Sequence, residues 1–203
     1  MTTTIHPPAA FVPPPEPVRR FTVDEYHRMI HAGILKEDDP VELLEGWIVP
    51  KMPRNPPHDV SLALTQAALA AALPPEWICR GQSAVTTPDS EPEPDVAVVR
   101  GPIRRYVASH PGPADVGLVV EVADSTLTRD RTLKARLYAR AGAPIYWIVN
   151  IPDRQVEVYS EPTGPGASMP AYAQRRDFAA DAVVPLVLDG RTIATIPVAE
   201  LLP

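Results

Sequence analysis

Residues 116–150 read VGLVVEVADSTLTRDRTLKARLYARAGAPIYWIVN, and this stretch decides the predicted fold. It opens with a nearly continuous apolar run (116–123), which is typical of a strand buried on both faces. A helix over about 127–141 follows and ends at Gly142, and PIYWIVN (144–150) predicts another buried strand. We therefore expect an α/β protein with a mixed central β-sheet flanked by helices.

The flanking segments extend this pattern on both sides. Thr22 and Glu25 form a capping-box pattern that predicts a helix to about His31. One strand is expected over 42–52 and an Ala/Leu-rich helix over about 58–73. Further strands are predicted at 77–85, 95–99 and 155–160, with weaker ones near Tyr172, 184–188 and 192–196.

Composition favours a single folded domain behind a short tail. The chain has 203 residues, of which 45% are hydrophobic, enough for one core. Residues 1–18 are rich in Pro and Thr with little to bury, so we expect a disordered tail. Residues 19–203 are expected to form one domain.

Charge and cysteine content restrict the compartment and the partners. Cys79 is the only cysteine, which fits a reducing, cytoplasmic protein. The N-terminus does not read as a signal peptide, and no apolar run reaches the ~20 residues that span a bilayer. A net charge of −6 does not by itself indicate nucleic-acid binding, and the local arginine groups also fit a solvated face.

Two carboxylates stand at positions where strands usually carry apolar side chains. Asp95 opens the strand DVAVV after a proline, although Pro-Asp dipeptides are also common in turns. Glu121 interrupts VGLVVEVA, where an ionised group costs several kcal/mol of desolvation unless a cation or donors satisfy it. The alternative is that Glu121 lies on a solvent-facing side of its strand.

Lys134 lies on the predicted helix that follows. At about 100° per residue, Lys134 falls on the apolar face of this helix, together with Leu137, Tyr138 and Ala141. The arginines predicted to point outward from the opposite side are Arg129, Arg136 and Arg140. A lysine directed at the sheet requires a carboxylate or an anionic ligand, although it could also extend along the edge of the stripe towards water.

The three residues together suit phosphodiester hydrolysis. Two carboxylates at adjacent strand ends can hold a hard divalent cation. Such a cation activates water and stabilises charge on a phosphoryl oxygen. A nearby lysine can orient the water or neutralise the developing charge. We therefore expect Asp95, Glu121 and Lys134 to converge in the fold.

Several blocks resemble the Uma-two family, a bacterial branch of the PD-(D/E)XK nuclease superfamily with a restriction-endonuclease-like fold. The blocks are VDEYHRMIHAGILKEDDPVELLEGWIV (23–49), EPEPDVAVVR (91–100) and 117–150, so the resemblance covers nearly all of 20–203. It implies that Asp95 and Glu121 are the acidic motif positions. The motif lysine normally follows the acid by two residues, where this chain has Ala123; here it is supplied from the helix by Lys134.

The resemblance also implies further site residues. Glu42 matches an acidic position and is a candidate metal ligand beside Asp95 and Glu121. Glu45 is a neighbouring candidate, and strand alternation puts Glu42 and Glu45 on opposite faces, so only one of them should reach the site. His58 matches a histidine that begins a helix; it could take part in metal or proton chemistry, or cap and pack the helix. Asp130 and the run 124–126 match family positions and are interpreted as helix-start and loop-fixing residues.

The function implied is a metal-dependent endonuclease acting on DNA with Mg²⁺ (or Mn²⁺). Because many superfamily nucleases are dimers, a homodimer is expected. The alternative is a non-catalytic DNA-binding or protein-interaction module that keeps the nuclease fold. Another metal-dependent phosphodiesterase acting on a small substrate would use the same site.

Removal of residues 1–18 should leave the thermal midpoint nearly unchanged, because this segment offers little apolar surface to bury. Thermal unfolding of the full and trimmed chains measures the difference. A drop of many degrees would show that the segment packs on the domain.

Overall fold

The computed structural model describes residues 18–36 and 38–203. The predicted tail therefore lies, apart from Val18, outside the described residues. No helix in these described ranges is long and apolar enough to cross a membrane.

A six-stranded sheet organises the chain. Its strands are β3 (Trp77–Gly81), β4 (Val96–Arg100), β5 (Val116–Ala123), β6 (Ile145–Asn150), β7 (Gln155–Pro162) and β8 (Tyr172–Ala179), in that spatial order. β5 and β6 are parallel, and the other neighbouring pairs are antiparallel. The expectation of a mixed central sheet is confirmed.

Two hairpins and several helical segments complete the fold. The hairpins are β1 (Val41–Leu44) with β2 (Trp47–Pro50), and β9 (Val183–Leu188) with β10 (Arg191–Pro197). The helices are α1 (Val23–His31), α2 (Pro56–Ala72), α3 (Leu127–Arg129) and α4 (Ala135–Ala141). A π turn, Asp130–Lys134, joins α3 to α4. Short 3₁₀ turns lie at Ile103–Tyr106, Pro113–Asp115 and Val198–Leu201.

Alternation along β5 divides the core between the two faces of the sheet. Leu118, Val120 and Val122 pack with residues of α2 and of the β9–β10 hairpin. Val119 and Ala123 pack on the other face, with residues of β1 and α4. Since side chains alternate along a strand, Glu121 must point to the α4 face.

The predicted strand 42–52 is wrong, because the chain turns back in its middle. Glu45 (φ 50) and Gly46 (φ 79) both adopt left-handed backbone conformations, which makes a two-residue hairpin turn. The segment therefore forms β1 and β2. The strand predicted over 77–85 is also too long: it ends at Gly81, before Gln82 with φ 47.

Gly117 marks a point of close approach in the core. The β4–β5 register shifts between Val98 and Val99, and Gly117 is the residue left without a partner. A Cβ atom there would lie 2.6 Å from Trp77 Cζ3 and 2.7 Å from Leu188 Cδ2. Both neighbours are buried, so neither can move aside easily.

Gly117→Ala should lower the free energy of unfolding by about 1–3 kcal/mol, the usual cost of overpacking. Urea unfolding measures it. Gly166→Ala is the control, since an added Cβ there meets nothing within 4 Å. Equal stability of the two variants would contradict the close approach.

Candidate active site

The register of β4 and β5 brings two carboxylates together. Val96 pairs with Val120, and continuing this register by one residue places Asp95 opposite Glu121. The Asp95 amide N–H donates to Glu121 Oε2 at 3.3 Å, and the Val122 amide N–H donates to Asp95 Oδ2 at 2.8 Å. Each carboxylate is thus fixed by the neighbouring strand's backbone.

Glu121 is almost fully buried and is held on one oxygen by two side chains from the helical segment. The Tyr138 hydroxyl donates to Glu121 Oε1 at 2.6 Å, and Lys134 Nζ lies 3.4 Å from the same oxygen. Tyr138 was predicted only as part of the apolar stripe. Its position four residues after Lys134 was the signal that it faces the same site.

Lys134 ends the π turn, is 5% exposed and reaches a second carboxylate. Its Nζ donates to Glu42 Oε2 at 2.8 Å, so it lies between Glu42 and Glu121. The predicted core-facing orientation of Lys134 agrees with this geometry. The structure therefore brings together Asp95, Glu121, Lys134 and Glu42.

The prediction that Arg129 points outward is wrong. Its Nη2 donates to Glu42 Oε1 at 2.7 Å inside the site. The prediction assumed a regular α-helix from 127 to 141. The π turn, closed by wider i→i+5 bonds, changes the angular register between Arg129 and the residues after it.

Glu45 lies outside the site. Arg136 Nε donates to Glu45 Oε1 at 2.9 Å, and Arg140 Nη2 donates to the same oxygen at 2.5 Å. These contacts tie the β1–β2 turn to α4. Of the two acidic candidates on this hairpin, only Glu42 reaches Lys134.

His58 begins α2 and contacts Asp95 directly. Asn55 caps the helix by accepting from the His58 N–H, which fixes the histidine near the sheet. His58 Nε2 lies 3.1 Å from Asp95 Oδ2, and this hydrogen bond raises the pKa of His58 above its ordinary value. The ring packs at the start of α2 and contacts a carboxylate of the site, and its participation in metal or proton chemistry stays a prediction.

Asp130 is a site residue that the sequence interpretation missed. The sequence predicts a helix-start residue here, but the helix starts at Leu127, and Asp130 is 4% exposed in the π turn. Its Oδ2 accepts from the Thr126 hydroxyl at 2.5 Å. Its spacing of four residues from Lys134 was an available signal, because residues four apart share a helix face.

These residues line one cleft of about 660 Å³. Six carboxylates face it: Glu42, Glu93, Asp95, Glu121, Asp124 and Asp130. Four cationic side chains face it: Lys51, Arg54, Arg129 and Lys134. Carboxyl groups outnumber cationic side chains in this concave, partly buried site, and carboxylate oxygens are the ligands that a hard divalent cation prefers.

The residues fit a magnesium-type site more closely than a site built wholly from protein ligands. Within 18–36 and 38–203, no group of three or more His, Cys, Asp or Glu side chains has the spacing of metal ligands. Mg²⁺, however, is usually held by one or two carboxylates together with waters and substrate phosphates. Asp95 and Glu121 supply two carboxylates on facing strands.

The buried carboxyl groups of Glu121 and Asp130 make the stability of the metal-free protein depend on pH. Burial raises the pKa of Glu121 from 4.5 to about 8; Lys134 opposes the shift, while Asp95 and Asp130 add to it. Burial likewise raises the pKa of Asp130 to about 6. In this range the folded protein keeps protons that the unfolded chain has released, so rising pH favours unfolding.

The metal-free protein should therefore lose stability between about pH 5 and about pH 8, and Glu121→Gln should remove most of this loss. Urea unfolding in EDTA across the range measures it. Glu200→Gln, at an exposed position, is the control and should keep the wild-type slope. Equal slopes for wild type and Glu121→Gln would contradict the assignment.

Comparisons with known proteins bear on the family and the fold of this chain. The Uma2 family model, described as "Putative restriction endonuclease", matches residues 23–195. A crystal structure from Anabaena variabilis, described as "a putative nuclease belonging to DUF820", has a TM-score of 0.64 and 18% identity, and covers 89% of this chain and 97% of that chain. At 18% identity, the likeness shows that the two proteins share a fold. No curated protein matches this chain. Because the family model covers most of the sequence, the chain belongs to the Uma2 family of restriction-endonuclease-like proteins.

Proposed function

We propose that this chain is a metal-dependent endonuclease that hydrolyses DNA phosphodiester bonds, with Mg²⁺ (or Mn²⁺) as its metal. One observation carries the proposal: Asp95 and Glu121 face each other across adjacent strands, and Lys134 Nζ lies 3.4 Å from Glu121. Membership in a nuclease family supports the reaction class.

Asp95 and Glu121 are the proposed metal ligands. A bound divalent cation would supply Lewis-acid stabilisation of charge on the phosphoryl oxygens. Asp95 Oδ2 is fixed by the Val122 amide, and Glu121 Oε1 by the Tyr138 hydroxyl, so both carboxylates are positioned before any ligand arrives.

Lys134 is the proposed cation that stabilises the transition state. Burial lowers its pKa, but the neighbouring Glu121 and Glu42 carboxylates outweigh that effect and raise the pKa above its ordinary value. Lys134 therefore stays an ammonium group. It suits stabilisation of developing phosphorane charge rather than proton abstraction.

Glu42 and His58 are proposed to position these groups. Glu42 accepts from Arg129 and Lys134, which hold its two oxygens. Its predicted role as a third metal ligand stays a prediction, and these contacts favour the orientation of Lys134. His58 holds Asp95 Oδ2 from the side of α2.

The expected homodimer and cytoplasmic location stay predictions as well.

A non-catalytic module is the second candidate, and a specific observation favours it. Glu121 already has hydrogen-bond partners on both oxygens, and Lys134 partly balances its charge without a metal. A protein that keeps this closed arrangement would bind without cleaving. Metal binding separates the two candidates.

Asp95→Asn and Glu121→Gln should each abolish Mg²⁺-dependent cleavage while the protein stays folded. Each change removes a negative ligand with little change of shape, so metal affinity should fall. Lys134→Ala should keep the metal but lower kcat by about 100-fold or more, the usual effect of losing an electrostatic contact to the transition state.

Cleavage of plasmid and single-stranded DNA with Mg²⁺ and Mn²⁺, beside calorimetric metal binding, measures both effects. Glu200→Gln is the matched control for loss of a carboxylate outside the cleft. If wild type binds no divalent ion and all three variants bind DNA like wild type, the nuclease proposal fails and the non-catalytic module replaces it.

A further inference from the structure

The segment 51–55 (KMPRN) forms one wall at the mouth of the cleft. Prolines at 50, 53, 56 and 57 restrict its backbone. Asn55 anchors its end, since the Asn55 side chain caps α2 and donates to the Asp124 carboxylate. The backbone at Arg54 is therefore restricted and anchored. The Arg54 side chain itself is exposed.

Arg54 differs from the other three cations of the cleft. Lys51 Nζ lies 2.7 Å from Glu93 Oε2, and Arg129 and Lys134 both contact Glu42. Within residues 18–36 and 38–203, Arg54 makes no ion pair with a carboxylate. Its charge is thus the one in the cleft that the protein's own carboxylates leave available.

Arg54 lies close in sequence to a residue that contacts the Asp95 carboxylate. It lies four residues before His58, which contacts Asp95 Oδ2. Arg54, Asp95 and Glu121 line the same cleft. A DNA strand whose scissile phosphate lies at Asp95 and Glu121 would therefore pass Arg54 as it leaves the cleft.

We propose that Arg54 binds the phosphate of a nucleotide adjoining the scissile bond and so sets the position of the DNA strand in the cleft. This inference rests on the proposed endonuclease function. A guanidinium group suits the role, because it can hold two oxygens of one phosphate at once. A stiff backbone reduces the entropy lost when the contact forms.

Arg54→Gln should weaken DNA binding several-fold without changing the stability of the fold. Each neutralised phosphate contributes about 0.9 to the slope of log K against log salt on duplex DNA, and about 0.7 on a single strand. The variant should lose about one such contact. Arg54→Lys should retain the salt slope, because the charge remains.

The measurement is fluorescence anisotropy of a short labelled DNA duplex and of its single strand, with Ca²⁺ in place of Mg²⁺ over a range of salt. Arg191→Gln is the matched control, an exposed arginine outside the residues that line the cleft. In cleavage with Mg²⁺, Arg54→Gln should raise KM several-fold and leave kcat near the wild-type value.

The possible outcomes separate this inference from the function on which it rests. If wild type binds and cleaves DNA while Arg54→Gln matches it in salt slope and KM, the Arg54 assignment is overturned and the nuclease stands. A variant that loses kcat at constant KM also overturns it, since Arg54 would then act on the chemical step. If wild type neither binds nor cleaves DNA, the proposed function fails and the Arg54 assignment is overturned with it.

Discussion

The buried carboxyl group of Glu121 is the constraint on which the arrangement of the site depends. A carboxylate that is 6% exposed in a central strand loses most of its hydration, at a cost of several kcal/mol unless cations or donors replace the water. Three groups replace it: the Asp95 amide, the Tyr138 hydroxyl and the Lys134 ammonium. They come from the next strand and from the helical segment packed on the sheet, so the site and the fold are joined through this one side chain.

The helical segment must be held in register for Lys134 to reach Glu121. Two contacts hold the π turn that carries Asp130 and Lys134 against the sheet. The Tyr146 hydroxyl donates to the Asp130 carbonyl at 3.2 Å. Arg131 pairs with Glu157, a fully buried carboxylate on β7 that Asn150 also contacts. A π turn within a helix is often found at functional sites, and here it directs two buried charges to the same cleft.

Much of this could be predicted from local pattern. The apolar run before and after Glu121 defined β5, and its burial matches the predicted strand, with every residue buried. Lys134 could be placed on the inner stripe because Leu137 and Tyr138 share its face. The convergence of Asp95 with Glu121 agrees with the expectation from their strand positions.

The remainder depended on backbone details that periodicity does not carry. Arg129 enters the site because the π turn shifts the helix register, and the hairpin turn at Glu45 and Gly46 decides that Glu42 is the acidic candidate that reaches it. The position of Asp130 in the cleft was not predicted, because an aspartate at this point of the sequence also suits the start of a helix. In each case a departure from regular geometry by one or two residues redirected a charged side chain.

We propose that Asp95 and Glu121 share one divalent cation. A crystal of the wild-type protein soaked with Mn²⁺ would show this cation by its anomalous scattering. We expect one strong peak between the two carboxylates, with Lys134 still in contact with Glu42. A soaked crystal with no peak at this position, and with the Lys134–Glu121 contact unchanged at saturating Mn²⁺, would contradict it.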